Sequence, residues 1–191
     1  INRHRRARKD TSAVIGRMLD HLLATMNYRN YTAFVGVYSN DAETEAAVRR
    51  VASGSSHIQI VLVPRPGPTS KGDCLNALLE GMQARETQTG EYHSIIALHD
   101  AEDIVHPLEL KLFNKLIPRK DMVQLPVIPL EAPLRGLTAG HYMDEFAEQH
   151  TKDLAIREAL TGSIPSAGVG CAFSREAFAR LAEVNNGTVF D

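Results

Sequence analysis

Three short apolar runs, 32–38 (TAFVGVY), 58–63 (IQIVLV) and 94–98 (SIIAL), alternate along the chain with longer segments of helical spacing. Each run is rich in β-branched or aromatic residues and gives way to Ser, Asn, Asp, Pro or Gly, as buried strands do. This alternation predicts an α/β fold: a mainly parallel sheet flanked by helices, joined by right-handed crossovers. Helices are predicted at 12–26, with Thr11 or Ser12 as N-cap, and at 42–52, 72–84 and 107–116. A fourth strand is predicted at 122–128, where Pro126 marks an edge or a bulge. Beyond residue 130 the pattern changes to a long helix at 142–160, a small-residue loop at 162–170 and a helix at 174–184. At 191 residues and 43% hydrophobic, the chain can bury one sizeable core. The expected organisation is a basic segment, 1–11, ahead of a single domain, 12–191.

The net charge of −2 provides no global basic field, so nucleic acid is not an expected partner. Arg3, Arg5, Arg6, Arg8 and Lys9 form a local exception. Such a run is a solvated tail or a segment beside a membrane on its cytoplasmic side. The two cysteines, Cys74 and Cys171, make neither a disulfide framework nor a zinc spacing. They read as buried thiols in a reducing environment. No apolar run is long enough to span a bilayer.

In a parallel α/β sheet, ligands sit beyond the carboxyl ends of the strands. Three polar segments fall there: Ser39-Asn40-Asp41, the Pro- and Gly-rich loop that leads to Lys71 and Gly72, and Asp100-Ala101-Glu102-Asp103. The carboxylates of Asp100, Glu102 and Asp103 repel one another, and a fold tolerates them when a cation neutralises them. Hard oxygen ligands in small number suit Mg2+ or Mn2+ bound together with substrate phosphates. The bland alternative is an acidic turn in which Asp103 caps the next helix. Lys71, delivered to a helix start, is placed to meet an anion. The spacing around it is not that of a Walker A loop. His99 and His106 flank the acidic run and read as hydrogen-bonded structural histidines. Gly168 and Gly170, two apart, let backbone approach a ligand closely.

The order strand–Ser-Asn-Asp, Thr-Ser-Lys-Gly-Asp-Cys-Leu-Asn, strand–His-Asp-Ala-Glu-Asp, then Gly-Val-Gly-Cys-Ala-Phe-Ser-Arg resembles the processive family-2 glycosyltransferases. The likeness runs from about residue 12 to 191. It implies a GT-A fold, with a Rossmann-like nucleotide-binding half and acceptor-side helices. It implies inverting transfer of a sugar from a nucleoside-diphosphate sugar, a UDP-sugar favoured, to a hydroxyl of a glycan or other acceptor. By the resemblance Asp41 lies near the base or ribose, and Lys71 and Gly72 line the donor site. Asp100 and Glu102 match the two acids of the family's DxD motif, and Asp103 is placed to share the metal. Gly168, Gly170 and Arg175 match the segment that shapes the donor and acceptor pocket. The resemblance also implies a domain on the cytoplasmic face of a bacterial inner membrane, held there by segments outside this chain.

Two departures from the family pattern stand out. The family's first strand, with its acid, is replaced by Arg5-Arg6-Ala7-Arg8-Lys9-Asp10. The family's general base belongs to a Thr-Glu-Asp phrase expected just past Phe190-Asp191. The chain as given is therefore expected to bind nucleotide and to turn over poorly or not at all. The alternative from a different class is a non-catalytic module that binds nucleotide or serves a receptor complex by contact. A nucleotidyltransferase is disfavoured by the absence of a Gly-rich, Arg- or Lys-bearing loop after the first strand.

Overall fold

A computed structural model describes residues 2–128 and 148–184. The first residues of the helix expected at 142–160 lie outside the described residues. In chain order the elements are α1 (Asn2–Thr25), β1 (Ala33–Tyr38), α2 (Ala42–Ala52), β2 (Ile58–Val63), α3 (Lys71–Thr89), β3 (Ile95–Leu98), α4 (Glu109–Leu116), β4 (Met122–Gln124), α5 (Leu154–Thr161), β5 (Cys171–Ser174) and α6 (Arg175–Val184). A 3-10 turn, Ile117–Arg119, follows α4, and a π-helical turn, Gln149–Asp153, precedes α5.

The strands form two sheets rather than one mainly parallel sheet. β1 and β2 pair in parallel, Ala33 opposite Ile58 through Tyr38 opposite Val63. β5 lies between β3 and β4 and runs antiparallel to both. The expectation of a mainly parallel sheet is thus corrected among the described strands. The cause is β5, a four-residue strand (CAFS) that runs straight into α6 and reads from sequence as the lead-in to a helix.

Two further expectations change. Thr11 and Ser12 do not cap α1, because the helix continues back to Asn2. Arg, Ala and Lys are good helix formers, and the basic run carries no breaker. The fourth strand stops at Gln124 instead of reaching residue 128. Pro126 has no amide proton to give a ladder. Among the described residues, no helix is long and apolar enough to cross a membrane.

Alternation along each strand sorts the layers. From β1 and β2, Val37 and Ile58 meet Ile15, Leu19 and Leu22 of α1 and Val48 and Val51 of α2 in one buried cluster. The opposite face takes α3. A Cβ on Gly36 would stand 2.8 Å from Cys74 Sγ, and one on Gly81 2.6 Å from Val61, so both glycines let α3 lie close to the sheet. Leu75 and Leu79 of α3 also pack on Leu98, Cys171 and Phe173 of the second sheet. α4 and the 3-10 turn after it cover that sheet's other face, with Phe113 and Ile117 against Ala172. One helix, α3, therefore touches both sheets, and its first residue, Lys71, stands beside the end of β3.

Candidate functional site

The site begins with the capping of α3. Ser70 accepts from the Asp73 amide at 3.0 Å, and Asp73 accepts from the Ser70 amide at 3.3 Å, a reciprocal capping box. Arg65 pairs with the Asp73 carboxylate. Ser70 hydrogen bonding, which outweighs desolvation, and the lesser effect of the Arg65 charge hold Asp73 below its usual pKa. The loop before the cap is tied to the end of β1. Asn40 accepts from the Gly67 amide at 2.8 Å and donates to its carbonyl at 2.6 Å, while the Tyr38 hydroxyl meets Thr69 Oγ1 at 2.8 Å. Lys71 is therefore delivered by a braced loop.

The Lys71 ammonium lies 2.5 Å from Asp100 Oδ1 and donates to the Gly168 carbonyl at 3.0 Å. Three of the residues singled out in the sequence, each from a different element, thus meet at one point. The antiparallel course of β5 makes this possible. Because Cys171 pairs with Leu98, the loop ahead of β5 arrives at the same end of the sheet as the turn that follows β3. A parallel β5 would carry Gly168 and Gly170 to the far end. Both glycines have positive φ, 74° and 60°, a backbone state that L side chains avoid. Gly170 also donates to the Leu98 carbonyl at 2.9 Å.

A residue not singled out in the sequence holds this loop. Gln124, the last residue of β4, donates from Nε2 to the carbonyls of Leu125 and Val169 at 2.9 Å and of Gly170 at 3.2 Å. Its Oε1 accepts from the Ala167 amide at 2.9 Å. A lone polar residue closing an apolar strand, MVQ, was the available signal.

The acidic run forms a closed turn. Asp103 donates its amide to the Asp100 carbonyl at 3.2 Å, and its Oδ2 accepts the Asp100 amide at 2.8 Å. Asp103 does not cap α4, whose N-cap position is Leu108. Behind the turn, His99 Nδ1 is 3.3 Å from Asp103 Oδ2, and its Nε2 is 2.7 Å from Glu109 Oε1. The Glu109 contact is close enough for an ion pair with the protonated ring. Burial alone would lower the His99 pKa. Hydrogen bonding and charge from Asp103 and Glu109 outweigh it and raise the value to about 9.

Asp100 is half-buried, and Glu102 is exposed with no ion pair among the described residues. Among the described residues, no three His, Cys, Asp or Glu side chains are arranged to hold a metal by themselves. Mg2+ needs no such cage, since one or two carboxylates plus substrate phosphates suffice. Asp100 and Glu102 fit that donor set, while Asp103 is engaged in closing the turn.

The other sequence candidates make no part of this contact. Asp41 caps α2, accepting from the Thr44 amide at 3.2 Å and its hydroxyl at 2.9 Å. Gly72 is buried in the first turn of α3. Arg175 is turned to the other end of α3, where it pairs with Glu86 at 2.9 Å and lies over the Tyr92 ring. Glu86 is fifteen residues from Lys71, roughly 22 Å along the helix. Burial alone would raise the Glu86 pKa, but the His93 hydrogen bonds and the charges of Arg175 and His93 hold it below the usual range. Burial raises the pKa of both thiols, Cys74 and Cys171, so neither is an activated nucleophile. A cleft of about 610 Å³ lies at the opposite end of β3, between Ser94, Asp121, Ser174 and Arg180. Two ion pairs lie along it, Arg180 with Asp121 and Lys120 with Glu158.

Comparison with known proteins completes the picture. The chain is 44% identical over 180 residues to "Bacteriophage adsorption protein B" of Escherichia coli strain K12, and equally to "Bacteriophage N4 adsorption protein B" of Escherichia coli O157:H7. The match takes in 94% of this chain and 24% of each relative, so the chain spans about a quarter of their length. No solved structure matches it. A family model described as "Glycosyltransferase like family 2" matches residues 7–191. With that match over nearly its whole length, the chain belongs to glycosyltransferase family 2.

Proposed function

We propose that this domain binds a nucleoside-diphosphate sugar, a UDP-sugar favoured, and serves its inverting transfer to a hydroxyl of a glycan or other acceptor. Family membership supports a transferase with a nucleotide-sugar donor. The observation that carries the finer reading is the meeting of Lys71, Asp100 and the Gly168 carbonyl. Lys71 and Asp100 neutralise each other across 2.5 Å. A metal diphosphate presents the complementary charge to both, phosphate oxygens to the ammonium and a cation to the carboxylate.

In this reading Asp100 and Glu102 hold Mg2+ or Mn2+, which supplies charge stabilisation for the departing diphosphate. Lys71 donates to a phosphate oxygen at the N-terminus of α3, where the helix dipole favours anions. The loop containing Gly168 and Gly170 forms a close backbone wall. Asn40 and Tyr38 position the loop that carries Lys71, and Asp41 keeps its place near the nucleoside only through the family likeness. Membership of the family implies a GT-A domain, and the α/β elements are in keeping with it. The carboxylate that takes the acceptor's proton is not among the residues gathered here.

The relatives are named for phage adsorption. A binding role in phage adsorption at the inner membrane, with no turnover, is the second reading for this chain. Calorimetry with UDP and GDP, with and without Mn2+, tests the first. Metal-dependent binding that disappears in Asp100→Asn and Glu102→Gln supports the donor site. No binding of either nucleotide contradicts it.

A further inference from the structure

We propose that His99 is a positioning residue, held between Glu109 and Asp103, that sets the acidic turn so that Asp100 and Glu102 face the diphosphate. The inference rests on the donor-site reading above. His99 follows β3 directly and is only 18% exposed at its side chain. One ring nitrogen faces Asp103 at 3.3 Å and the other faces Glu109 at 2.7 Å. Asp103 in turn carries the Asp100 amide on the same oxygen, Oδ2, at 2.8 Å. A continuous line of contacts therefore runs from Glu109 through the imidazole and Asp103 to the backbone of Asp100.

Glu109 anchors the line. It is 6% exposed and opens α4, whose Phe113 is buried against the second sheet. A buried carboxylate without a cationic partner is strongly disfavoured. Within the described residues His99 is the partner that Glu109 meets, at 2.7 Å. The imidazole cannot swing away without leaving Glu109 uncompensated, and Asp103 cannot rotate without losing both the ring and the Asp100 amide. The acidic turn is thereby fixed to the rigid part of the fold. Partners that orient metal-binding groups in this way commonly govern affinity by about 10–100-fold.

The test is the ratio of UDP affinity with Mn2+ to that without, measured by calorimetry in the wild-type chain and in His99→Gln and Glu109→Gln. We expect both variants to lose at least about tenfold in that ratio, while metal-free UDP affinity stays as in the wild type. An unchanged ratio in a folded variant overturns the proposal. So does a parallel fall of metal-free and metal-dependent binding, which would mark a purely structural role. Glu109→Gln keeps the side-chain shape and carries the test if His99→Gln fails to fold. Absence of Mn2+-dependent binding in the wild type would instead overturn the donor-site reading, and this inference with it.

Discussion

The ammonium of Lys71 and the carboxylate of Asp100, 29 positions apart in the chain, lie 2.5 Å from each other. Neither belongs to a strand. Lys71 opens α3 and Asp100 follows β3, and the packing of α3 on both sheets brings them together. The relationship matters for binding more than for stability. Both side chains are substantially exposed, at 50% and 38%. Exposed ion pairs contribute little to folding, because water screens them.

Lys71→Ala should therefore melt close to the wild type and yet bind UDP at least about tenfold more weakly, the usual consequence of losing a hydrogen bond to a charged group. Thermal melts and calorimetry on the same sample check both halves.

Gln124→Leu removes the side chain that joins Leu125, Ala167, Val169 and Gly170. The side chain is half-buried. The expected loss is about 1–3 kcal/mol, as for half-buried polar groups left without partners. Urea unfolding measures it. Hydrogen exchange should show the Ala167 amide among the most accelerated.

Much of this arrangement could be read from the residues. The apolar runs at 33–38 and 58–63 became β1 and β2 because branched side chains on both faces suit a strand covered on both sides. Lys71 and Asp100 were marked as candidates by charge in strand-end positions, and Gly168 as one of two glycines in a small-residue loop. The direction of β5 was not readable. Four small or apolar residues carry no record of which strands they will join, and pairing between β3 and β4 is decided by tertiary packing. Arg175 shows the same limit at the level of one side chain. Its place in a motif suggested the pocket, while Glu86 and Tyr92 draw it elsewhere.

Gly170 and Gly90 both have positive φ, at 60° and 72°, but only Gly170 is crowded. A Cβ there would stand 3.2 Å from Val127 Cγ2, whereas at Gly90 nothing lies within 4 Å. Gly90→Ala should cost roughly 1–2 kcal/mol for the left-handed backbone alone. Gly170→Ala should cost more and should also weaken UDP binding. Paired denaturation and binding curves separate the two effects.

The His99 pKa is raised from 6.5 to about 9 in the folded chain, so its partners favour the protonated form. The resulting stability is fully present below about pH 6.5 and is lost as pH rises through about 9. Melting temperature should fall across that window, and His99→Gln should flatten the profile there. A wild-type profile flat from pH 6 to 10 would contradict this assignment.

Mn2+ added with UDP to isotopically labelled protein locates the donor site, because the paramagnetic ion broadens the amide resonances nearest to it. Selective broadening is expected at 71–72, 100–103 and 168–170, with the amides of 119–121 and 174–180 left sharp. Broadening centred on Asp121 and Arg180, or equal broadening with and without UDP, would contradict it.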